Sequence, residues 1–225
     1  MYKLVIFDLD GTILDTLEDL ADSANYALRM HHFPERTIEE IRSFVGNGIG
    51  KLIERAVPDS TDFVVVEKVL ANFKVHYAQH CADKTRPYHG IPELIEKLKN
   101  QGYKTAVVSN KADFAVRQLC EDYFSGLFDF VVGEREGIRR KPAPDSVLEV
   151  LERLHVEKKN ALYIGDSEVD IQTADHAGVD QISVEWGFRE REYLLSKGAK
   201  KIVGSPEEIL SILDEGNSRK VHKNC

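Results

Sequence analysis

Acidic side chains follow two apolar runs of the sequence at spacings that suit metal-assisted chemistry. Asp8 and Asp10 come directly after the first run, and Asp166 and Asp170 follow a later one. Carboxylates held close together repel one another, so such a cluster is stable when a cation lies between them. Hard oxygen ligands with no histidine or cysteine beside them favour Mg²⁺. The four carboxylates therefore predict a magnesium site if the fold brings them together.

Three further polar residues occur at comparable places. Ser109 and Asn110 follow the run that ends at Val108, and Lys141 precedes a helical segment. Taken singly, a serine or asparagine there is an ordinary helix cap and a lysine is a solvated charge. Taken with the carboxylates, they supply the hydroxyl, amide and ammonium groups that hold an anion. A calcium-binding loop is excluded at the first acidic pair, because Gly11 stands at the fourth position of that segment and not at the sixth.

A first strand at residues 2–7 and an alternation of strand and helix patterns from residue 85 onward must position these groups. The predicted strands cover residues 2–7, 105–108, 128–132, 161–164, 182–185 and 201–203. The predicted helices cover residues 91–100, 112–120, 144–155, 171–177 and 206–213. This alternation indicates the α/β class, with a doubly wound, Rossmann-type parallel sheet. Ligands of such sheets bind at the carboxyl ends of the strands, where the polar residues fall.

The segment that follows the first strand has a different pattern. Residues 15–84 contain no convincing strand, and two capping-box patterns, Thr16 to Asp19 and Thr37 to Glu40, predict helix starts. The glycine-rich segment between Phe44 and Lys51 interrupts the helical pattern. We therefore expect an all-helical cap at 15–84, inserted into a core of residues 1–14 and 85–215, with a frayed polar tail at 216–225.

Composition restricts the partners. The chain has 225 residues and a formal net charge of −8, which argues against a nucleic-acid ligand. No run approaches the ~18 apolar residues of a membrane helix. Three cysteines at unrelated spacings suggest neither a disulfide framework nor a zinc site. We expect a cytoplasmic protein without membrane or nucleic-acid partners, as a monomer or homodimer.

The motifs, taken together and in order, resemble those of the haloacid dehalogenase superfamily in its phosphatase branch. The first motif is similar to residues 8–12, the second to Ser109, the third to Lys141, and the fourth to residues 165–170. Three further segments, residues 44–48, 141–144 and 186–187, resemble phosphoglycolate phosphatases. The resemblance implies a haloacid dehalogenase-like core whose helical insert closes over it as a mobile cap.

The resemblance also implies roles in catalysis and metal binding. Asp8 would be the nucleophile that forms an aspartyl-phosphate, and Asp10 would protonate the leaving alcohol and then activate water. Mg²⁺ would be held by the side chains of Asp8 and Asp166 and by the backbone carbonyl of Asp10.

The remaining motif residues would bind the phosphoryl group or support the residues that do. Ser109 and Asn110 would hold phosphoryl oxygens. Lys141 would bind phosphate and stabilise the charge of the transition state. Asp170 would orient Lys141 or a metal-bound water.

Four cap residues are candidates for substrate specificity. Arg42 could contact the non-phosphate end of the substrate, or it could be a solvated helix charge. The others, Gly46, Asn47 and Gly48, lie in the glycine-rich segment, where the glycines would let the backbone approach a ligand.

The predicted function is hydrolysis of a small phosphorylated metabolite by a Mg²⁺-dependent phosphomonoesterase, with 2-phosphoglycolate as the favoured substrate. The alternatives in the same superfamily are a pyrophosphatase, a sugar-phosphate phosphatase and a phosphoglucomutase. A phospho-accepting signalling or binding module is a further alternative. It is disfavoured because receiver-type domains carry the acceptor aspartate after a middle strand, whereas Asp8 and Asp10 both follow the first.

Overall fold

The computed structural model describes the backbone of residues 1–221 and the side chains of residues 1–214. The chain forms two compact units, one comprising Met1–Ile13 and Pro87–Cys225 and the other Leu14–Arg86. In chain order the strands are β1 Leu4–Phe7, β2 Leu14–Asp15, β3 Arg86–Pro87, β4 Lys104–Ala112, β5 Phe130–Glu134, β6 Ala161–Gly165, β7 Asp180–Val184 and β8 Ile202–Val203. The α-helices are α1 Leu17–Met30, α2 Ile38–Phe44, α3 Ile49–Ala56, α4 Phe63–His80, α5 Ile91–Asn100, α6 Asp113–Phe124, α7 Asp145–Arg153, α8 Glu168–Ala177, α9 Arg191–Ser196 and α10 Pro206–Val221.

A six-stranded sheet in the order β5-β4-β1-β6-β7-β8 forms the centre of the first unit. All of its strand pairs are parallel, and helices flank it, which confirms the predicted α/β class. The four residues of β1 are fully buried. A strand in the middle of a parallel sheet is covered on both faces, so it is apolar throughout and not alternating.

The register of the sheet explains why the polar residues meet. Phe7 at the end of β1 pairs with Val107 of β4 on one side and with Ile164 of β6 on the other. The residues that follow these three positions therefore lie at the same edge of the sheet.

Helix α9 of this unit has no counterpart in the sequence prediction, and two further elements extend beyond their predicted ends. Strand β4 continues through Ser109 to Ala112, with an irregular register between Val108 and Ala112, where a strand ending at Val108 is predicted. Helix α10 continues to Val221, so it passes Leu213 and enters the predicted tail. Positions 222–225 of that tail lie outside the described residues.

The second unit contains α1 to α4, but it is not all-helical as predicted, because β2 forms a short two-stranded sheet with β3 where the two ends of the insert meet. Two of its helix starts have different outcomes. The capping box of α2 is confirmed, because the Thr37 hydroxyl accepts from the Glu40 N–H at 3.2 Å and the Glu40 carboxylate accepts from the Thr37 N–H at 2.8 Å. The capping box predicted for α1 is wrong, because the Thr16 side chain makes no cap hydrogen bond.

The Asp19 side chain instead forms hydrogen bonds to backbone groups that are distant in the sequence. Its carboxylate is 1% exposed and accepts the backbone N–H of Lys84 at 3.0 Å and that of Thr85 at 2.8 Å. A buried carboxylate requires such partners, and here the chain after α4 supplies them. The bonds tie the end of the insert to α1.

The glycine-rich segment separates α2 from α3, as predicted. Gly46 and Gly48 have φ values of 119° and 82°, which side chains with a Cβ rarely adopt. Among the described helices, none combines the length and the apolar composition that crossing a bilayer requires.

Candidate active site

Three buried carboxylates converge at the edge of the sheet where β1 and β6 end. Asp8, Asp166 and Asp170 each place a carboxylate oxygen within 4.8 Å of the other two. Asp8 directly follows β1, Asp166 directly follows β6, and Asp170 lies in the first turn of α8. The structure thus brings together three of the four acidic residues singled out in the sequence.

Lys141 is the cation in contact with this cluster. Its side chain is 3% exposed, and Nζ lies 2.9 Å from Asp8 Oδ1 and 2.8 Å from Asp170 Oδ1. Nζ also donates to the Tyr163 hydroxyl at 3.0 Å. Burial alone would lower the pKa of Lys141, but the charges of Asp170 and Asp8 raise it well above its usual value. This lysine therefore carries a permanent positive charge at the site.

Asp170 is saturated by partners within the protein. Besides Lys141, its carboxylate accepts the Ser167 backbone N–H at 3.1 Å and the Ser167 hydroxyl at 2.5 Å. Tyr163, which sequence reasoning missed, lies 3.2 Å from the same carboxylate. These contacts hold Lys141 in one orientation, which is one of the two roles that the resemblance implies for Asp170.

The pKa values of Asp8 and Asp166 are both raised in the folded protein. Burial raises the pKa of Asp8 well above its ordinary value, and the charge of Asp170 adds to the effect while Lys141 opposes it. Burial, with the charge of Asp170, raises the pKa of Asp166 to about 7. A divalent cation would supply compensating positive charge, and a cluster of carboxylate oxygens without histidine or cysteine ligands fits Mg²⁺.

Two glycines let the backbone approach Asp166 closely. A Cβ at Gly11, whose φ is 80°, would overlap the Asp166 carboxylate, and a Cβ at Gly187 would overlap the Gly11 carbonyl. The chain after Gly187 then reaches Asp166, whose Oδ2 accepts the Phe188 N–H at 2.7 Å. Only residues without a side chain permit this arrangement.

Ser109 and Asn110 lie within β4, which is adjacent in the sheet to β1, the strand that precedes Asp8. The Ser109 hydroxyl is buried and accepts the Lys111 N–H at 3.2 Å. The Asn110 amide forms a two-point bond with the backbone of Lys141, donating to its carbonyl at 3.0 Å and accepting its N–H at 2.8 Å. This bond fixes the position of Lys141, while the predicted phosphate contacts of Ser109 and Asn110 stay predictions.

Asp10 is paired with a lysine that sequence reasoning missed. Lys111 Nζ donates to Asp10 Oδ1 at 2.9 Å, and the lysine side chain is 3% exposed. The available signal was its place directly after Ser109 and Asn110, at the end of an apolar strand. The site therefore contains two buried lysines.

The four cap candidates lie in the helical unit. Arg42 is exposed on α2, and Gly46, Asn47 and Gly48 are half-buried in the segment between α2 and α3. Their predicted part in specificity stays a prediction.

A sequence model of the haloacid dehalogenase-like hydrolases matches residues 5–184. The chain belongs to this family. Relatives that are named as phosphatases match nearly the whole length of this chain. The chain is therefore an enzyme of the phosphatase type.

Three relatives illustrate the match. A phosphoglycolate phosphatase of Aquifex aeolicus is 30% identical over 94% of this chain and 97% of its own length. An N-acetylmuramic acid 6-phosphate phosphatase of Pseudomonas aeruginosa is 31% identical over 94% and 95%. A crystal structure of a Lactobacillus delbrueckii subsp. bulgaricus protein assigned as a phosphoglycolate phosphatase has 41% identity and a TM-score of 0.89 over 92% of this chain and 96% of that one. The fold and the hydrolase family are thereby established.

Proposed function

We propose that this protein is a Mg²⁺-dependent phosphomonoester hydrolase that uses Asp8 as a nucleophile and 2-phosphoglycolate as its substrate. The observation that carries the proposal is the arrangement of Asp8 between Lys141 and two further buried carboxylates. Burying several carboxylates together is costly unless cations or hydrogen-bond donors compensate their charge. Here the cluster matches the requirements of phosphoryl transfer.

The hydrogen bonds of Asp8 leave one oxygen available for attack. Oδ1 accepts the Leu9 N–H at 2.7 Å and contacts Lys141 Nζ at 2.9 Å. Among the described residues no hydrogen bond reaches Oδ2, which can therefore approach phosphorus. The two contacts fix the carboxylate plane, so little orientational entropy is lost on reaction. Attack by Oδ2 forms an acyl phosphate and releases the alcohol oxygen.

Asp10 handles the proton in both steps. It follows the nucleophile by two residues, and its side chain is 16% exposed, so it faces the accessible side of the site. It gives a proton to the departing alkoxide and later takes one from the water that hydrolyses the acyl phosphate. Lys141, with its fixed charge, stabilises the phosphoryl oxygens in both transition states.

Mg²⁺ held by the side chains of Asp8 and Asp166 and the Asp10 carbonyl would neutralise charge between the nucleophile and the phosphate. Two like charges 4 Å apart repel by about 4 kcal/mol at an effective dielectric constant of 20. Lys141 offsets one such charge, but it is shared with Asp170. The raised pKa values of Asp8 and Asp166 are consistent with the need for a further cation.

The substrate assignment rests on the similarity to phosphoglycolate phosphatases, which extends over nearly the whole chain. A sugar-phosphate phosphatase is the second candidate, since the Pseudomonas aeruginosa relative, with a sugar phosphate in its name, is equally similar. Assays with pyrophosphate and glucose phosphates test the remaining alternatives, which are a pyrophosphatase and a phosphoglucomutase.

The test is a panel assay with Mg²⁺ on 2-phosphoglycolate, N-acetylmuramic acid 6-phosphate, pyrophosphate and glucose phosphates. Asp8→Asn should abolish turnover, whereas Asp122→Asn, an exposed aspartate on α6, should leave it unchanged. Acid quenching during turnover of a ³²P-labelled substrate should trap label on the wild-type protein. Undiminished turnover in Asp8→Asn would overturn the nucleophile assignment, and a preference for a substrate other than 2-phosphoglycolate would overturn the substrate.

A further inference from the structure

Lys111 is a buried cation for which the chemistry proposed above has no use. Its side chain is 3% exposed, and it lies near the end of β4 with its Nζ 2.9 Å from Asp10 Oδ1. The other buried lysine, Lys141, contacts Asp8 and Asp170. The two lysines therefore serve different carboxylates, one on the nucleophile side and one on the acid–base side. A lysine is costly to bury, so a positive charge at this second place needs an explanation.

The contact with Asp10 places Lys111 beside the leaving group. A general acid works within about 2.6–3.2 Å of the oxygen that it protonates. Lys111 Nζ lies at hydrogen-bond distance from the same carboxylate. A leaving oxygen that is hydrogen-bonded to Asp10 therefore brings its substituent close to the ammonium group. Asp10 is the more exposed partner, at 16% against 3%, so Lys111 is the more deeply buried member of the pair.

An anionic leaving group would otherwise be repelled at this place. Asp10 is acidic, and three further carboxylates lie in the same site. A carboxylate on the leaving alcohol would add one more negative charge. In 2-phosphoglycolate the carboxylate is separated from the leaving oxygen by a single CH₂ group, so it cannot avoid the region around Asp10. Lys111 is the buried cation that contacts Asp10 there.

We propose that Lys111 is a specificity-determining residue that binds the negatively charged group of the leaving alcohol. The inference rests on the proposed function, which supplies the role of Asp10 and the carboxylate-bearing substrate. In the absence of substrate the ammonium donates to Asp10. With substrate bound it donates to the substrate carboxylate as well, or in place of Asp10. The core unit thus selects phosphate esters of small acids over those of neutral alcohols.

The test compares 2-phosphoglycolate with its carboxyl methyl ester, which has the same skeleton and no charge on the leaving group. The wild type should prefer the free acid in kcat/KM by about tenfold or more, the size expected of a charge-assisted hydrogen bond. Lys111→Met should reduce this preference to within about threefold while it still hydrolyses the ester. Lys159→Met, on an exposed lysine, is the matched control and should keep the preference.

The results separate the inference from the proposed function. If the wild type hydrolyses neither compound, the proposed function fails and the inference fails with it. If the wild type prefers the free acid and Lys111→Met retains that preference, with both rates lowered equally, Lys111 only positions Asp10 and the inference is overturned. If Lys111→Met does not fold, the comparison of the free acid with its methyl ester in the wild type still tests the inference. Equal turnover of the two compounds by the wild type would overturn it.

Discussion

If a divalent metal occupies the acidic cluster as proposed, its removal should destabilise the protein, and the loss of stability should grow as the pH rises. The reason is the cluster of Asp8, Asp166 and Asp170, whose oxygens lie within 4.8 Å of one another. Two unit charges at that separation repel by about 3.5 kcal/mol at an effective dielectric constant of 20. Lys141 compensates part of this repulsion through Asp8 and Asp170 but does not contact Asp166 in a salt bridge.

The pKa of Asp166 gives the sign and the pH window. It is raised from 3.8 to about 7 in the folded protein without metal. The folded state therefore binds more protons than the unfolded state between these values, and its stability falls as the pH rises through this window. A shift of about 3 units corresponds to about 4 kcal/mol. At about 2–4 °C per kcal/mol for a chain of this size, the melting temperature should fall by roughly 10 °C.

Thermal unfolding with EDTA or excess Mg²⁺, at about pH 5 and about pH 8, measures the effect. The increase in melting temperature produced by Mg²⁺ should be larger at the higher pH. Asp166→Asn keeps an acceptor for the Phe188 N–H and removes the charge. In EDTA at about pH 8 this variant should have a higher melting temperature than the wild type, because the charge at position 166 no longer repels the neighbouring carboxylates. Equal Mg²⁺ increments at both pH values, or an unchanged increment in the variant, would refute the reasoning.

Three other predictions concern supporting residues. Tyr163→Phe removes a hydroxyl 3.0 Å from Lys141 Nζ, so kcat should fall about tenfold with little change in KM, measured by steady-state kinetics. Asp19→Asn should lower the free energy of unfolding in urea by about 2–3 kcal/mol, because a buried charged acceptor of backbone N–H groups is lost. Asp22→Asn, with a side chain 55% exposed, should cost under about 1 kcal/mol in the same titration. Gly187→Ala should destabilise by about 1–3 kcal/mol and weaken Mg²⁺ binding in calorimetry, since its Cβ overlaps the backbone near the carboxylates.

The sequence was sufficient for the sheet and for the cluster of acidic residues. Parallel strands with covered faces are apolar along their whole length, so β1 and β6 are recognisable without any partner. Because such strands end at a common edge, the residues that follow them meet. The position of Asp8 beside Asp166 is a direct consequence of that geometry.

What could not be predicted depends on contacts between distant parts of the chain. The pattern from Thr16 to Asp19 has the local form of a capping box, yet Asp19 bonds to the backbone of Lys84 and Thr85. A local pattern cannot reveal a partner so far along the sequence. Lys111 was missed for the same reason, because its partner Asp10 is 101 positions away in the sequence. The place of Lys111 after Ser109 and Asn110 indicates the edge of the sheet at which it lies, but it does not identify Asp10 as its partner.

The position of β1 in the sheet has a consequence for synthesis on the ribosome. β1 emerges first, but its neighbours are β4 and β6, and Leu4 pairs with Lys104 and Ala161. At about 5–20 residues per second, the nascent chain carries β1 unpaired for roughly 5–20 s before β4 can reach it. The helical unit, which is continuous in the chain from Leu14 to Arg86, is synthesised in full during this interval. Asp8 and Asp10 are thus made before both strands that flank β1, and they reach their final positions only after those strands have been made.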